Sequence, residues 1–271
     1  MAEIAVNGET LHYERAGKGP PLLLIHSLGT GAWMWRDDIA HWSGDFDVIA
    51  FDARGHGAST HNGPVTVESI AADLAAGLSA LGIRHAHVVG ISMGGPIACR
   101  LYSTAPDAVA SLVIADSFAR QGAAGEERVR GLEQLLKTAS MSSYATSYAN
   151  GTMHAEADRR HFEALEASVA AMDKDVYLQI ARSVFTSDVA DAMTKISVPV
   201  RVVVGAQDTR TPPALSEEIA RLIPHADFKV VEHAAHLSNL DNPAGFHAAV
   251  DPFLLRRSFV DPVRTRERVK R

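Results

Sequence analysis

A serine inside Gly90-Ile91-Ser92-Met93-Gly94, an aspartate at Asp208 and a histidine at His236 have the types and the order to do chemistry together. A serine hydroxyl is a weak nucleophile near neutral pH and needs a base within hydrogen-bond reach. An imidazole, with an unperturbed pKa near ~6.5, can be that base. A carboxylate behind the imidazole fixes its tautomer and stabilises the imidazolium. The chemistry open to such a set is attack on a carbonyl carbon, passage through a tetrahedral oxyanion, and transfer of the acyl group to water. Gly-x-Ser-x-Gly alone is a weak pattern, because an ordinary strand–helix turn with a capping serine also satisfies it. Its meaning depends on the elements around it.

Those elements alternate. Val88-Val89-Gly90-Ile91 is a β-branched run, and Pro96-Ile97-Ala98-Cys99-Arg100-Leu101-Tyr102 continues from the serine with helical character to about Thr104. Strand, sharp turn and helix are what a nucleophile elbow needs. A Cβ at Gly90 or Gly94 would collide with neighbouring backbone, and a helix beginning at Met93 aims its free N–H groups and positive end at the serine. The Met93 N–H is therefore a candidate oxyanion donor.

Upstream, Ile4–Val6, Asn7-Gly8 and Leu11–Glu14 read as a hairpin on a type I′ turn. Leu22–His26 and Asp47–Asp52 are apolar runs that suit strands buried on both faces. Val67 to Leu81 has helical spacing with Gly82 as a stop, and Val109 to Asp116 is another strand. From Phe118 to Ile196 no such strand occurs. Charge-decorated helical segments at 126–139, 157–172, 175–185 and 188–196 imply a helical insertion over the strand ends. Strands resume at 198–205 and 228–232, with helices at 213–222 and 243–255. The expected organisation is an α/β core over 1–117 and 197–255, a helical cap over 118–196, and a basic, solvated, partly disordered tail over 256–271. Alternation of this kind implies a mainly parallel sheet with helices on both faces and the site at the carboxyl ends of the strands. Ser92, Asp208 and His236 each follow a strand.

Composition narrows the partners. The 271 residues carry a formal charge of −6, which argues against nucleic acid or an anionic membrane as the main partner. One cysteine permits no internal disulfide, and no basic leader or long apolar run stands at the N-terminus, so a cytoplasmic protein is expected. No nucleotide, flavin or metal motif occurs, so no cofactor is implied. Nothing in the sequence sets the oligomeric state.

Taken with these motifs, the chain resembles the α/β-hydrolase fold family over nearly its whole length. His26-Ser27-Leu28-Gly29 resembles the family's oxyanion loop, which makes the Leu28 N–H the second expected oxyanion donor beside Met93. Gly205-Ala206-Gln207-Asp208 resembles the acid loop, and His233-Ala234-Ala235-His236 the histidine loop. Within the family the chain is most similar to the 3-oxoadipate enol-lactonases, through His26–Thr30 with Trp35, Ser92–Gly95 and Ala235–Asn239. The resemblance implies a serine hydrolase acting on a small-molecule carboxylic ester or lactone through an acyl-enzyme, with Ser92, Asp208 and His236 as its triad. The same core motifs fit carboxylesterases, perhydrolases and carbon–carbon bond hydrolases, a cofactor-free lyase or oxygenase, and a ligand receptor that retains the triad. The cap carries neither Trp nor Cys, and it is where substrate choice is expected to reside.

Several residues have two readings. Ser27, Trp33 and Trp35 are candidates to line the acyl pocket, although the tryptophans could equally pack the loop. Asp116 ends the strand after the elbow and competes with Asp208 for the acid role; the Asp208 loop fits the family pattern better. His26 reads as a loop-shaping hydrogen bonder, Asp52 and Arg54 as holders of the Gly55–Gly57 turn, and Cys99 as a small buried apolar residue. The His233/His236 pair lacks the glutamate of a zinc motif, so no metal site is expected.

Overall fold

The computed structural model describes residues 2–258. The chain opens on β1 (Ala2–Val6) and β2 (Glu9–Ala16), which pair antiparallel. Asn7 and Gly8 turn the hairpin at φ of 50° and 80°, the left-handed pair that an Asn-Gly dipeptide adopts readily. Next come β3 (Pro21–Ile25), β4 (Asp47–Phe51), β5 (Ala86–Ile91), β6 (Val109–Ala115), β7 (Val200–Gly205) and β8 (Asp227–Val231). They form one sheet in the order β1-β2-β4-β3-β5-β6-β7-β8. β2 meets β4 antiparallel, and every pairing from β4 to β8 is parallel.

The helices before the insertion are α1 (Arg36–Trp42), α2 (Val67–Ala80) and α3 (Gly94–Thr104). Thr66 caps α2 in a reciprocal capping box with Ser69, and Gly82 follows it at φ 75°. α3 starts at Gly94, one residue later than the sequence suggests, with Met93 as its N-cap. The strand order reverses at β3, since β4 lies on one side of it and β5 on the other. The loops leaving β3 and β5 therefore diverge at one crevice, the place where open α/β sheets bind ligands. Leu22–Ile25 of β3 and, His87 apart, all of β5 are apolar and buried, as strands covered on both faces must be.

Between β6 and β7 the chain makes five helices: α4 (Ala123–Leu136), α5 (Met141–Asn150), α6 (Arg159–Ala170), α7 (Lys174–Phe185) and α8 (Ala190–Met193). Four lie where helical segments are expected; α5 does not. Its sequence, MSSYATSYAN, has no charged residue and is rich in Ser, Thr and Tyr, which have modest intrinsic helix propensity. Two things make it helical. Ser140 caps it by accepting from the Ser143 N–H, and Ala145, Tyr148 and Ala149 are buried, with α6 packed alongside.

The chain ends on α9 (Pro213–Leu222), α10 (Ser238–Asp241) and α11 (Pro243–Ser258). The first residues of the expected basic tail thus belong to α11, and the rest of it, 259–271, lies outside the described residues. No helix among the described residues is long and apolar enough to cross a membrane.

The elbow depends on backbone contact that only glycine permits. A Cβ on Gly90 would sit 2.4 Å from the Gly94 carbonyl oxygen, and one on Gly94 would sit 2.4 Å from that of Ile25. These are backbone atoms at the centre of the sheet and cannot swing aside. Gly90→Ala is therefore expected to cost about 3 kcal/mol or more, read as a lowered urea midpoint or as loss of soluble protein.

Candidate active site

Ser92 stands just past the end of β5 at φ 55°, a left-handed conformation that a non-glycine residue holds only under constraint. The constraint comes from β6 and the segment after it. The Ser92 N–H donates to the Ala115 carbonyl at 2.9 Å, and the Ser117 hydroxyl donates to the Ser92 carbonyl at 2.7 Å. Held this way, the Ser92 Oγ lies 2.8 Å from His236 Nε2.

His236 leaves β8 on a loop seated against the end of β7. A Cβ on Gly205 would lie 2.1 Å from the Ala235 carbonyl oxygen, so the two backbones touch. His236 Nδ1 is 2.9 Å from Asp208 Oδ2. The other Asp208 oxygen accepts the Arg210 and Thr211 N–H groups at 2.8 and 2.9 Å. The Thr211 hydroxyl, 2.7 Å from Asp208 Oδ2, supports the carboxylate from the side. Burial works to raise the Asp208 carboxyl. The neighbouring His236 and the hydrogen bonds from His236 and Thr211 outweigh it and hold the group below the usual carboxylate range.

The loop after β3 supplies the other wall. His26 Nε2 accepts the Ala53 N–H at 3.0 Å, so Nδ1 carries the proton and donates to the Ser27 carbonyl at 2.7 Å. The histidine shapes the loop, as the sequence suggests. Asp52 holds the same loop from below by accepting the Ala32 N–H at 2.7 Å and the Ala58 N–H at 3.1 Å. Arg54 turns away to Asp73, with its Nη2 donating at 2.7 Å. Leu28 and Met93 are buried, and neither N–H donates to a protein acceptor among the described residues. Met93 is the neighbour of Ser92 in the chain, and Leu28 lines the same pocket.

Residues 20–243 match the family model described as the alpha/beta hydrolase fold. The chain belongs to the α/β-hydrolase fold family. The 3-oxoadipate enol-lactonase 2 of Acinetobacter baylyi is 31% identical over 256 residues, covering 91% of this chain and 93% of that protein. The crystal structure of the enol-lactonase from Burkholderia xenovorans superposes with a TM-score of 0.87 at 28% identity, covering 94% of this chain and all of that one. A thermophilic esterase from Thermogutta terrifontis, solved with malate bound, gives 0.86 at 26% identity over 95% of this chain and all of its own. These relatives are hydrolases, and the chain is an enzyme of that class.

Within this α/β hydrolase, three residues expected at the substrate pocket lie elsewhere. Trp35 is fully buried and packs on Phe246 of α11, with ring centroids 6.5 Å apart. Trp33 points its indole N–H at the Ser168 hydroxyl of α6, 3.2 Å away. The 3-10 turn Ala32–Trp35 causes this, sending alternate rings into the core and toward the cap helices. Ser27 is fully buried, its hydroxyl has no partner among the described residues, and it does not line the pocket. Cys99 is buried too, and burial pushes its thiol up to about 12, which leaves it unreactive.

The pocket beside Ser92 and His236 is closed down to about 10 Å³, and its cap wall includes Arg128, Tyr148, Val184 and Phe185. Sequence reasoning missed these residues. Tyr148 lies on the unexpected helix α5, and its hydroxyl donates to the Leu28 carbonyl at 3.3 Å. Thr152, just past α5, accepts the His236 N–H at 3.2 Å through its carbonyl. Arg128 looks like a surface charge in a polar helix. The available signal was its spacing: three after Gly125 and four before Leu132, both buried, it falls on the inward stripe of α4.

Asp116 has a different task from Asp208. Its Oδ1 accepts the Gly205 N–H at 2.8 Å, and its Oδ2 accepts the Ser238 N–H and hydroxyl at 3.0 and 2.6 Å. It ties β6 to the ends of the acid and histidine loops. Burial first, and the Asp208 charge second, push its carboxyl well above the usual range. Asp116→Ala would strand those buried donors at about 1–3 kcal/mol each. Thermal unfolding should show the loss, while fluorophosphonate labelling of the folded fraction should persist.

Proposed function

We propose that this enzyme hydrolyses a small-molecule carboxylic ester or lactone through an acyl-enzyme on Ser92. The observation that carries the reading is the continuous chain Ser92 Oγ, His236 Nε2, His236 Nδ1, Asp208 Oδ2, with spacings of 2.8 and 2.9 Å. His236 takes the Ser92 proton as Oγ attacks the carbonyl carbon. The Leu28 and Met93 N–H groups receive the oxyanion, and removing one such donor costs about 3–4 kcal/mol in a comparable enzyme. The imidazolium, paired with Asp208, returns the proton to the leaving oxygen. In a lactone that oxygen stays tethered to the acyl chain. His236 then activates water, which attacks the acyl carbon and releases Ser92.

An enol-lactone is the substrate form we favour, because the likeness to enol-lactonases extends over nearly the whole chain. Its leaving group is an enolate that becomes a ketone, which draws ring opening strongly downhill. We assign the helical stretch 118–196 the role of a cap that selects the substrate, since Tyr148 and Arg128 reach the pocket from it.

The test is labelling followed by a substrate panel. A fluorophosphonate probe should modify Ser92 stoichiometrically, located by peptide mass spectrometry. A pH-stat screen over lactones, esters and ring-fission diketones should show acid release from the first two classes. A folded protein that stays unlabelled would remove Ser92 as the nucleophile.

A further inference from the structure

Two neighbouring backbone amides on the histidine loop are held by the cap, one directly and one through a carboxylate. The Ala235 N–H donates to Asp241 Oδ2 at 2.8 Å, and the other Asp241 oxygen accepts the His154 N–H at 2.9 Å. The His236 N–H donates to the Thr152 carbonyl at 3.2 Å. These bonds close a ring between residues 235–236 of the histidine loop and residues 152–154, which follow α5. Asp241 is the side chain in that ring, and every other group in it is backbone.

Both sides of the ring are fixed. Asp241 ends α10, which is pinned along its length. Asp116 holds the Ser238 N–H and hydroxyl at its start. The Asn239 amide donates to Asp38 Oδ2 at 3.0 Å and to the Met34 carbonyl at 3.2 Å. One residue past α10, the Asn242 amide donates to the Glu232 carbonyl at 2.8 Å. On the cap side, the Thr152 and Met153 N–H groups donate to the Ala149 carbonyl at 3.1 and 3.0 Å, and Arg210 of the acid loop donates to the Gly151 carbonyl at 3.1 Å. A carboxylate between two fixed pieces of backbone sets the distance between them, and its two acceptor oxygens match two N–H donors. Asp241 does not line the pocket beside Ser92, so it reaches the reacting atoms only through His236.

We infer that Asp241 is a positioning residue for the base: it locks the cap segment 152–154 to the histidine loop, so that the cap, as well as Asp208, fixes the His236 imidazole against Ser92 Oγ. This rests on the serine-hydrolase reading above. Asp208 orients the ring through Nδ1, whereas Asp241 sets where the main chain delivers it. The 2.8 Å spacing from Nε2 to Oγ depends on both. A misplacement of about 1 Å at such a contact is worth about 10²-fold in rate.

The test starts from Asp241→Asn, which keeps the size of the side chain but turns an amide NH2 toward one of two N–H donors. His236 serves both acylation and deacylation, so kcat falls whichever step limits. With p-nitrophenyl acetate, kcat should drop about 10- to 100-fold while KM stays within about threefold, and fluorophosphonate labelling of Ser92 should slow by a similar factor. Asp241→Glu, which keeps two acceptor oxygens, should recover part of the rate. His154→Pro removes one donor of the ring and leaves Asp241 in place; it should slow the same steps about tenfold, and it serves if Asp241→Asn does not fold. A role in stability alone would lower the melting temperature and leave kcat and the labelling rate of the folded protein at wild-type values, and that result overturns the proposal. Amide hydrogen exchange followed by NMR needs no turnover and tests the ring by itself. The Ala235 and His236 amides should exchange at least about tenfold faster in Asp241→Asn than in wild type. Unchanged exchange overturns the proposal whether or not any ester is cleaved. A ring seen by exchange in a wild-type protein that takes no fluorophosphonate label would instead overturn the hydrolase reading, and the positioning role with it.

Discussion

Ser92→Ala should lower kcat about a million-fold and abolish fluorophosphonate labelling, with the melting temperature within a few degrees of wild type. The size of the effect follows from the loss of the nucleophile and of the acyl-enzyme route. His236 would still contact water, but water lacks the fixed position that the elbow gives the serine oxygen. Stability should barely change for a geometric reason. Alanine keeps the Cβ that already tolerates φ 55°, and it removes only the Oγ contact to His236. The Ser117 and Ala115 bonds that hold the turn involve the Ser92 backbone and survive. Residual turnover within about tenfold of wild type would assign the reaction to another group.

Asp208→Asn should reduce kcat by about 10⁴-fold while leaving the labelled serine in place. The aspartate accepts from His236 Nδ1 and thereby leaves Nε2 free to accept the serine proton. An asparagine at that position can turn its amide N–H toward Nδ1, which favours the wrong tautomer. The same variant changes the acid side of the stability curve. The folded-state pKa of Asp208 is depressed below its ordinary 3.8, so the ionised form stabilises the fold at and above that value. The contribution is fully present above the unfolded-state value and lost as pH falls through the folded-state one. Thermal melts from pH 6 downward should therefore show the gap between wild type and Asp208→Asn closing below about pH 4. A gap that stays constant to pH 2 would mean that Asp208 is not held ionised by the site.

Much of this was legible in one dimension, because the features involved are local. A strand buried on both faces must be a short apolar run, and 22–25, 48–51 and 88–91 of the sheet are such runs. The elbow needs glycine where backbones touch, and Gly90 and Gly94 mark it without any contact having to be inferred. Asp208 and His236 follow strands, so a parallel sheet alone delivers them to the same edge. Asp116 and Asp208 could not be separated by position, since both end neighbouring strands. Their hydrogen bonds separate them: Asp116 binds Gly205 and Ser238, and Asp208 binds His236.

What the sequence by itself determined was the α/β-hydrolase core and the place of Ser92, Asp208 and His236, each just after one of its strands. Only the tertiary structure decided what surrounds them. α5 has no charge pattern and little intrinsic propensity, and packing against α6 makes it a helix. Trp33 and Trp35 carry the composition of a substrate pocket, yet a 3-10 turn sends one into the core and the other to Ser168. Arg128 and Arg210 lie 82 positions apart and join at the pocket mouth through a bond from one side chain to the other's carbonyl. A charge reads as solvated surface in a linear sequence. It comes to line a pocket only when the fold carries it there, and that depends on packing between segments that share no local pattern.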